Sequence, residues 1–284
     1  MVELGLLYDQ LRPDERLIID AAKRNGIDLA LYDTDQLAWD VTSQDDGIQL
    51  ADAFLQRCMS YFRSLHITAA LEARGKVVVN SFKASSTCGN KLIASIALSR
   101  AKIPTPRTFV AFSQEASLKA LQQLGYPAVL KPVVGSWGRL VAQLKDPESA
   151  TAIIEPREYM HPIQQVYYLQ EKINRPERDI RCYVIGDRAV AAIYRNAPPG
   201  EFRTNTARGG VAQNLPVTPE LEEISVRAAE AVGGGAFGVD LMETDSGFVV
   251  HEVNHTTEFK NTVRVTGVDI PKLLLQYAIK QVKV

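Results

Sequence analysis

The chain has 284 residues, of which 46% are hydrophobic and 23% are charged, and its formal net charge is −1. This length predicts two or three linked lobes with separate cores, and the near-neutral charge argues against nucleic-acid binding as the main task. Three scattered cysteines suit reduced thiols, and no apolar run reaches the roughly 18 residues of a membrane span, so we expect a cytoplasmic protein with neither a nucleic-acid nor a membrane partner.

The first part of the chain alternates strand and helix patterns. Strands are predicted over residues 4–8, 28–32 and 76–79, and helices over residues 13–25 and 64–74. Alternation of this kind is typical of an α/β unit. We therefore place an N-terminal α/β domain over residues 1–85.

The second region, residues 86–166, mixes both element types. Asn90 can cap a helix over residues 91–101, a strand is predicted over 108–111, and a helix over 114–124. Two further strands, 128–131 and 140–144, flank a glycine-containing loop. These elements predict a central lobe of α+β type.

The last region, residues 167–284, is rich in strands. They are predicted over residues 167–173, 180–185, 189–194, 237–242 and 248–254, with helices over 219–232 and 270–281. A long loop over residues 195–214 interrupts them. Long loops in compact domains are more often functional than idle.

The last two strands carry the most informative side chains. If residues 245–247 form a three-residue turn, Asp240 faces Glu252 with β-carbons about 5 Å apart, and Asn254 lies two residues along the same face. Three oxygen-bearing side chains at this spacing suit Mg²⁺. The alternative is a solvent-facing strand that happens to carry two acids.

The neighbours of these acids favour the metal site. In the predicted register Phe248, Val250 and Met242 share the acidic face, whereas Val249 lies on the other. Both faces are therefore apolar, and buried carboxylates need a cation or a donor partner. His251 is predicted on the face opposite Glu252, in a structural role.

The glycine loop between the two central strands could bind phosphate. Gly135 and Gly138 would let backbone amides approach phosphate oxygens, although the spacing taken alone favours a plain hairpin turn. Lys91 and Lys131 would each be an ordinary solvated lysine if taken alone. Together with the loop and the acids they supply what ATP requires, while the P-loop and dinucleotide motifs are absent.

Five sequence blocks resemble the ATP-grasp ligases, and more closely their RimK-like branch, which includes the carrier-protein ligases of lysine and arginine biosynthesis. They are Cys88-Gly89-Asn90-Lys91, Gly135-Ser136-Trp137-Gly138-Arg139, Arg178-Asp179-Ile180-Arg181, and residues 204–210 and 252–261. The resemblance implies an ATP-grasp fold behind an N-terminal pre-ATP-grasp domain. Asn90 departs from the pattern, because the family commonly has Asp there.

The resemblance also implies a role for each block. Phosphate-binding residues would be Lys91, Lys131, Gly135, Ser136, Trp137, Gly138 and Arg139, and the rest of the nucleotide would meet Gln170, Glu171, Lys172, Ile173, Asp179 and Arg181. Asp240, Glu252 and Asn254 would bind Mg²⁺, and Arg195 and Asn205 would be catalytic. Substrate-binding residues would be Asn205, Thr206, Ala207, Arg208, Glu258, Phe259, Lys260 and Asn261. His255 would either contact substrate or only make hydrogen bonds.

The implied reaction is ATP-dependent amide formation. In this branch the carboxylate belongs to the C-terminal glutamate of a small acidic carrier protein, LysW, and the amine belongs to α-aminoadipate or glutamate. The sequence favours aminoadipate and leaves glutamate, or both, as alternatives; we also expect a homo-oligomer. Two further alternatives are a glutamate ligase acting on a ribosomal protein and a nucleotide-binding regulator without turnover.

Overall fold

The computed structural model describes residues 2–42, 47–135, 138–197 and 211–282. The N-terminal lobe contains strands β1 Leu4–Tyr8, β2 Leu29–Asp33, β3 Ala53–Gln56 and β4 Val77–Val79, with helices α1 Pro13–Arg24 and α2 Tyr61–Ala73. The strands form a parallel sheet in the order β2-β1-β3-β4. Strand β3, which the sequence did not predict, has four buried residues. A fully buried strand this short has no alternation to reveal it.

The central lobe is built around an antiparallel sheet in the order β5-β8-β6-β7. Its strands are β5 Thr108–Ala111, β6 Ala128–Lys131, β7 Ala142–Leu144 and β8 Tyr167–Glu171, and its helices are α3 Phe82–Gly89, α4 Lys91–Arg100, α5 Gln114–Leu124 and α6 Pro147–Ile154. Two short 3₁₀ turns, Glu155–Tyr159 and Pro162–Gln165, lead into β8. The predicted boundary after residue 166 therefore separates β8 from the sheet in which it pairs.

Asn90 caps α4 as the sequence predicts. Its side-chain oxygen accepts hydrogen bonds from the backbone N–H groups of Leu92, at 3.0 Å, and Ile93, at 3.3 Å. The backbone N–H of Lys91 also donates to the Val133 carbonyl at 2.8 Å. The cap thus fixes Lys91 beside the segment that leads into the glycine loop.

The C-terminal lobe is built on a five-stranded antiparallel sheet in the order β11-β10-β9-β12-β13. Its elements are β9 Arg178–Ile185, β10 Arg188–Asn196, β11 Val211–Leu215, α7 Pro219–Ala231, β12 Ala236–Thr244, β13 Gly247–Asn254, α8 Lys260–Thr266 and α9 Ile270–Val282. The predicted long loop is shorter at both ends, because β10 continues to Asn196 and β11 begins at Val211. Across the described ranges, no helix has the length and apolarity needed to span a membrane.

The β12–β13 ribbon pairs Asp240 with Glu252, as predicted, but through different geometry. The predicted three-residue turn is wrong, since Thr244 pairs with Gly247 and only two residues connect the strands. The register then shifts by one residue, and Leu241 pairs with Val250. A β-bulge at His251 restores the pairing of the two acids.

The bulge also corrects the predicted faces. Val250 and Phe248 pack with Leu241 in the core on one side of the sheet, and they do not share the acidic face. An extra residue reverses the alternation of every side chain before it in the strand. Asp240 and Glu252 therefore have fewer apolar neighbours on their own face of the ribbon than the sequence predicted.

The N-terminal and C-terminal lobes share one core. Leu4, Leu6 and Leu55 of the first sheet belong to the same buried cluster as Tyr183 of β9 and Leu275 of α9. Burial of this apolar surface stabilises the contact between the lobes. It also holds β1, β3 and β4 against the lobe that carries the acidic ribbon.

Candidate active site

The acidic face of the ribbon is centred on Asp240, which is 2% exposed. Arg181 donates to both of its oxygens, from Nε at 2.8 Å and from Nη2 at 2.7 Å. Arg195 Nη2 lies 3.1 Å from Oδ2, and Asn254 Nδ2 donates to the same oxygen at 3.2 Å. A buried carboxylate needs such compensation, and three side chains of the site supply it.

Arg195 links Asp240 to a second buried acid. Its Nε and Nη2 donate to the two oxygens of Asp179, each at 2.7 Å. Asp179, Arg195, Asp240 and Arg181 therefore form a buried chain of alternating charges on β9, β10 and β12. Such a network holds each side chain in one geometry, because breaking a pair leaves a buried charge without its partner.

The charges in this chain are fixed by their neighbours. Burial opposes ionisation of Asp240, but Arg181 and Arg195 outweigh it and hold the pKa of the carboxyl well below its usual range. Burial also acts to lower the pKa of Arg181, and Asp240 overcomes it and raises that pKa. The site therefore contains a fully ionised aspartate at neutral pH.

Glu252 connects the ribbon to the central lobe. Its carboxylate lies 2.8 Å from Lys91 Nζ, which also donates to the Gly135 carbonyl at 2.9 Å. The Glu252 side chain is 27% exposed and so remains open to the cleft. Burial acts to raise its pKa, but the Lys91 ammonium dominates and the pKa is lowered. Lys91, a predicted phosphate ligand, thus contacts both Glu252, a predicted metal ligand, and the glycine loop.

The second lysine lies against β8, which carries Gln170, one of the residues predicted to meet the nucleotide beyond its phosphates. Lys131 Nζ donates to Gln170 Oε1 at 2.6 Å, and Gln170 Nε2 donates to the hydroxyls of Tyr168, at 3.0 Å, and Thr108, at 3.1 Å. Burial lowers the pKa of Lys131 to about 8, in spite of the attraction of Glu252. The hydrogen bond that the Lys131 ammonium donates goes to a neutral amide, which does not cancel its charge, so the ammonium can attract an anion.

The predicted face of His251 is wrong. The bulge turns its ring onto the acidic face, where Nε2 lies 4.0 Å from Asp179 Oδ2. Neither ring nitrogen has a hydrogen-bond partner in the described part of the chain. Burial, followed by the Lys131 charge, lowers its pKa to about 4.

Both histidines near the ribbon should make the protein sensitive to mild acid. Burial, followed by Arg57, also lowers the pKa of His255 to about 4. Both groups have an ordinary pKa near 6.5 when unfolded. Below that value the unfolded chain binds protons that the folded chain rejects, so stability is complete above pH 6.5 and decreases as pH falls toward 4.

We expect each histidine to contribute at most about 1.4 kcal/mol of lost stability per pH unit. Urea unfolding of the metal-free protein between pH 7 and 5.5 would measure this slope. The His251→Gln and His255→Gln variants should each remove about half of it. A free energy of unfolding that stays constant over this range would contradict the assignment.

The predicted substrate segment after β13 is held by the N-terminal lobe. Asp14 Oδ1 accepts the backbone N–H groups of Phe259, at 2.5 Å, and Lys260, at 2.9 Å. Arg12 Nη1 lies 3.6 Å from Glu258 Oε1, and the Tyr183 hydroxyl donates to the Glu258 carbonyl. Asp14 and Arg12 were not predicted as site residues. Their only signal in the sequence is their position just after β1, at the edge where such sheets bind ligands.

Members of the predicted substrate segment differ in exposure. The Phe259 ring is buried in the core between the lobes, with the Arg57 guanidinium 5.2 Å from its centroid. Lys260 is exposed and Asn261 is half-buried. Within residues 258–261, Glu258, Lys260 and Asn261 therefore keep polar side chains at least partly open to solvent. His255 packs edge-on against Tyr61, with ring centroids 6.0 Å apart.

The chemistry of the donor set on the ribbon fits Mg²⁺, and in this structure the Asp240 oxygens meet Arg181, Arg195 and Asn254. Within the described ranges no group of three or more acidic, histidine or cysteine side chains forms a metal cluster. The set instead comprises two carboxylates and an amide, all hard oxygen donors. Asn254 directs its nitrogen to Asp240, which leaves its carbonyl oxygen for another partner. Glu252 is partly open to the cleft.

Some predicted residues lie outside the described ranges. They are Ser136 and Trp137 in the glycine loop and Asn205, Thr206, Ala207 and Arg208 in the long loop. Among the predicted nucleotide-binding residues 170–173, Glu171 accepts the Arg107 backbone N–H at 2.6 Å, and Lys172 is exposed. Arg139 is exposed and Ile173 is half-buried.

Comparison with known proteins identifies two consecutive family models. Residues 4–87 match the LysX preATP-grasp domain, and residues 88–278 match the RimK-like ATP-grasp domain. The chain is 38% identical to the alpha-aminoadipate–LysW ligase LysX of Saccharolobus solfataricus, over 96% of this chain and 99% of that protein. It is 36% identical to the glutamate–LysW ligase ArgX of Sulfurisphaera tokodaii, over 96% of each. A solved RimK domain protein from Sphaerobacter thermophilus superposes with a TM-score of 0.80 at 25% identity, covering 98% of this chain and 99% of that one.

Proposed function

This chain belongs to the RimK-like ATP-grasp ligases, which form carbon–nitrogen bonds, and from that premise we propose that it ligates an amino acid to a LysW-type carrier protein. The proposed amine is the α-amino group of α-aminoadipate. The proposed carboxylate is the side chain of the carrier's C-terminal glutamate. ATP would supply the energy.

One contact carries the proposal. The 2.8 Å pair between Lys91 and Glu252 joins the central lobe to the acidic ribbon, and Lys91 also contacts the glycine loop. A triphosphate bound there would meet a lysine charge on one side and oxygen ligands for its cation on the other. Phosphoryl transfer requires this combination, since its catalysis is mostly positioning and charge stabilisation.

We assign the remaining roles on the same basis. Lys91, Lys131 and residues 135–139 would bind the phosphates, and residues 170–173, Asp179 and Arg181 would border the rest of the nucleotide. Asp240, Glu252 and Asn254 would bind Mg²⁺, which when bound neutralises charge on the phosphate oxygens. Arg195 and Asn205 would face the transferred phosphate, and residues 206–208 and 258–261 the substrates. The structural units would be residues 1–85, 86–166 and 167–284. Strand β8 begins the third unit but pairs in the sheet of the second.

The reaction would proceed in two balanced steps. A carrier carboxylate oxygen attacks the γ-phosphorus of ATP, the bond to the bridging oxygen breaks, and ADP leaves. The amine then attacks the acyl carbon, phosphate leaves with the carbon–oxygen electron pair, and the nitrogen loses a proton as the amide forms. Arg195, held by Asp179 and Asp240, presents a fixed positive charge near the developing anions.

Glutamate is the second candidate amine. The chain is nearly as similar to the glutamate-specific relative as to the aminoadipate-specific one, at 36% and 38% identity. The two amino acids differ by one methylene, which is worth only about 1–3 kcal/mol of discrimination in a pocket. A ligase that uses both is therefore compatible with the site.

An assay with purified components tests the proposal. We expect that the chain, ATP, Mg²⁺, α-aminoadipate and a LysW-type carrier will give a carrier whose mass increases by one aminoadipyl group, with one ADP per amide. Mass gain only with glutamate would move the assignment to the second candidate. Modification of a ribosomal protein tail in place of the carrier, or no ADP release with any substrate, would overturn the proposal.

A further inference from the structure

A small cavity lies where the N-terminal lobe meets the C-terminal sheet. Its volume is about 30 Å³, and its polar lining comes from Gln56, Arg57 and Asn80 on one side and from Tyr183, His255 and Thr257 on the other. A single water needs roughly 10–15 Å³ by this measure. The cavity is therefore large enough for a group of a few atoms, such as a carboxylate.

The cavity occupies the position where open α/β sheets bind ligands. Its wall includes the end of β3 and the residues just after β3 and β4. Strand β1 pairs with β2 on one side and with β3 on the other, so the connections diverge between β1 and β3. Ligands of such sheets bind outside the carboxyl ends of the strands at this switch point.

The strongest observation is a set of polar atoms in the wall that lack partners. Gln56 is 4% exposed and Arg57 is 6% exposed. In the described part of the chain, both amide atoms of Gln56 and the Nη2 atom of Arg57 have no hydrogen-bond partner. Buried polar groups are almost always paired, and each exception costs about 1–3 kcal/mol.

Arg57 is otherwise firmly anchored. Its Nε donates to Glu15 at 3.1 Å and its Nη1 donates to the Thr257 carbonyl at 3.0 Å. The third nitrogen, Nη2, is thus fixed in position and, within the described ranges, still free to donate a hydrogen bond. A fixed guanidinium nitrogen and an amide N–H₂ group from two residues that line one cavity form a donor set suited to a carboxylate.

The cavity adjoins the reaction site through Thr257. This residue lines the cavity, and its hydroxyl donates to the Asn254 carbonyl at 2.9 Å. Asn254 is one of the proposed Mg²⁺ ligands. A small molecule anchored in the cavity could therefore extend toward the ribbon, whereas the phosphates are assigned to the lysines of the central lobe.

We propose that this cavity is a carboxylate subsite for the amino-acid substrate, with Gln56 Nε2 and Arg57 Nη2 as the donors. The inference rests on the proposed function, in which the amine substrate is a dicarboxylic amino acid. The subsite would hold one carboxylate of the amino acid so that its amino group faces the acyl phosphate. Positioning of this kind can supply a large part of a rate enhancement.

Gln56→Leu is the decisive variant, because it removes both unpartnered amide atoms at similar volume. The free protein loses no hydrogen bond, so its Tm should not decrease. The KM for the amino acid should rise about 10- to 100-fold, as expected for a lost hydrogen bond to a charged group. The KM for ATP should change less than about twofold, and the exposed Gln122→Leu variant should match the wild type in both constants.

Direct binding separates this inference from the proposed function. Calorimetry with α-aminoadipate, glutamate and their α- and side-chain amides measures affinity without a carrier, and loss on amidation identifies the carboxylate that binds. Weak or absent binding to the Gln56→Leu variant, with binding to the wild type, supports the subsite even if carrier ligation is never observed. Unchanged affinity or KM in the variant overturns it, as does a wild type that binds no dicarboxylic amino acid.

Discussion

Replacing Asp240 by Asn is expected to lower the free energy of unfolding by about 3–5 kcal/mol, the range for breaking a buried ion pair from one side. Asp240 contacts both Arg181 and Arg195. The amide would place an N–H₂ group against donors. The partly buried Arg181 guanidinium would lose the charge that balances it, and Arg195 would keep its pair with Asp179. Urea unfolding at pH 7 would measure the loss.

The same substitution should reduce ligation by at least about 10²–10³-fold, comparable with the loss of one strong electrostatic contact in other enzymes. Asp240 is a proposed Mg²⁺ ligand, and it also helps to orient Arg195. Both contributions would be lost together. Initial rates of ADP release with saturating ATP, carrier and amino acid would measure the effect.

Asp269→Asn provides a matched control. Asp269 forms a surface pair with Arg24 at 3.4 Å and is 42% exposed. Exposed pairs contribute about 0–1 kcal/mol, so this variant should be nearly as stable and as active as the wild type. If Asp240→Asn were equally mild, the buried charge chain would not have the importance that we assign to it.

The local patterns of the sequence predicted most elements of the fold but not how they align. Asn90 was correctly predicted as a helix cap because capping depends on neighbours within one turn. Strand β3 was missed because its four buried residues carry no periodicity. Contacts such as Asp14 with Phe259 join residues 245 positions apart, and no local pattern encodes them.

The acidic ribbon shows how a correct pairing can follow from incorrect geometry. The prediction added one residue to the turn, and the structure adds one residue to β13 at His251 instead. Both changes bring Asp240 opposite Glu252, but only the bulge brings His251 onto the acidic face. Which side chains surround Asp240 also depends on the registers between β9, β10 and β12. Tertiary packing sets these registers, and no local pattern in the sequence encodes them.

Replacing Glu252 by Gln should separate the two tasks of the Lys91 pair. In the free protein Lys91 is neutralised by Glu252 at 2.8 Å. Phosphate binding must compete with this carboxylate, whereas Mg²⁺ binding requires it under the proposed assignment. The variant should therefore bind ATP in EDTA at least as tightly as the wild type, because an opposing anion has been removed.

With Mg²⁺ present the expected result is the opposite. Loss of a carboxylate ligand should weaken the metal-dependent gain in affinity and reduce ligation by about 10²–10³-fold. Titrations of ATP with and without Mg²⁺, followed by intrinsic fluorescence, would give both affinities. Rates at increasing Mg²⁺ would show whether high metal concentration restores turnover.

Glu243→Gln is the matched control on the same strand pair. Glu243 accepts hydrogen bonds from Arg178, at 2.9 Å, and Tyr194, at 2.9 Å, and contacts neither lysine among the described interactions. It should leave both the EDTA affinity and the Mg²⁺ response close to wild-type values. If Glu252→Gln weakened ATP binding equally with and without Mg²⁺, Glu252 would be acting through the fold alone, and the metal assignment on the ribbon would be wrong.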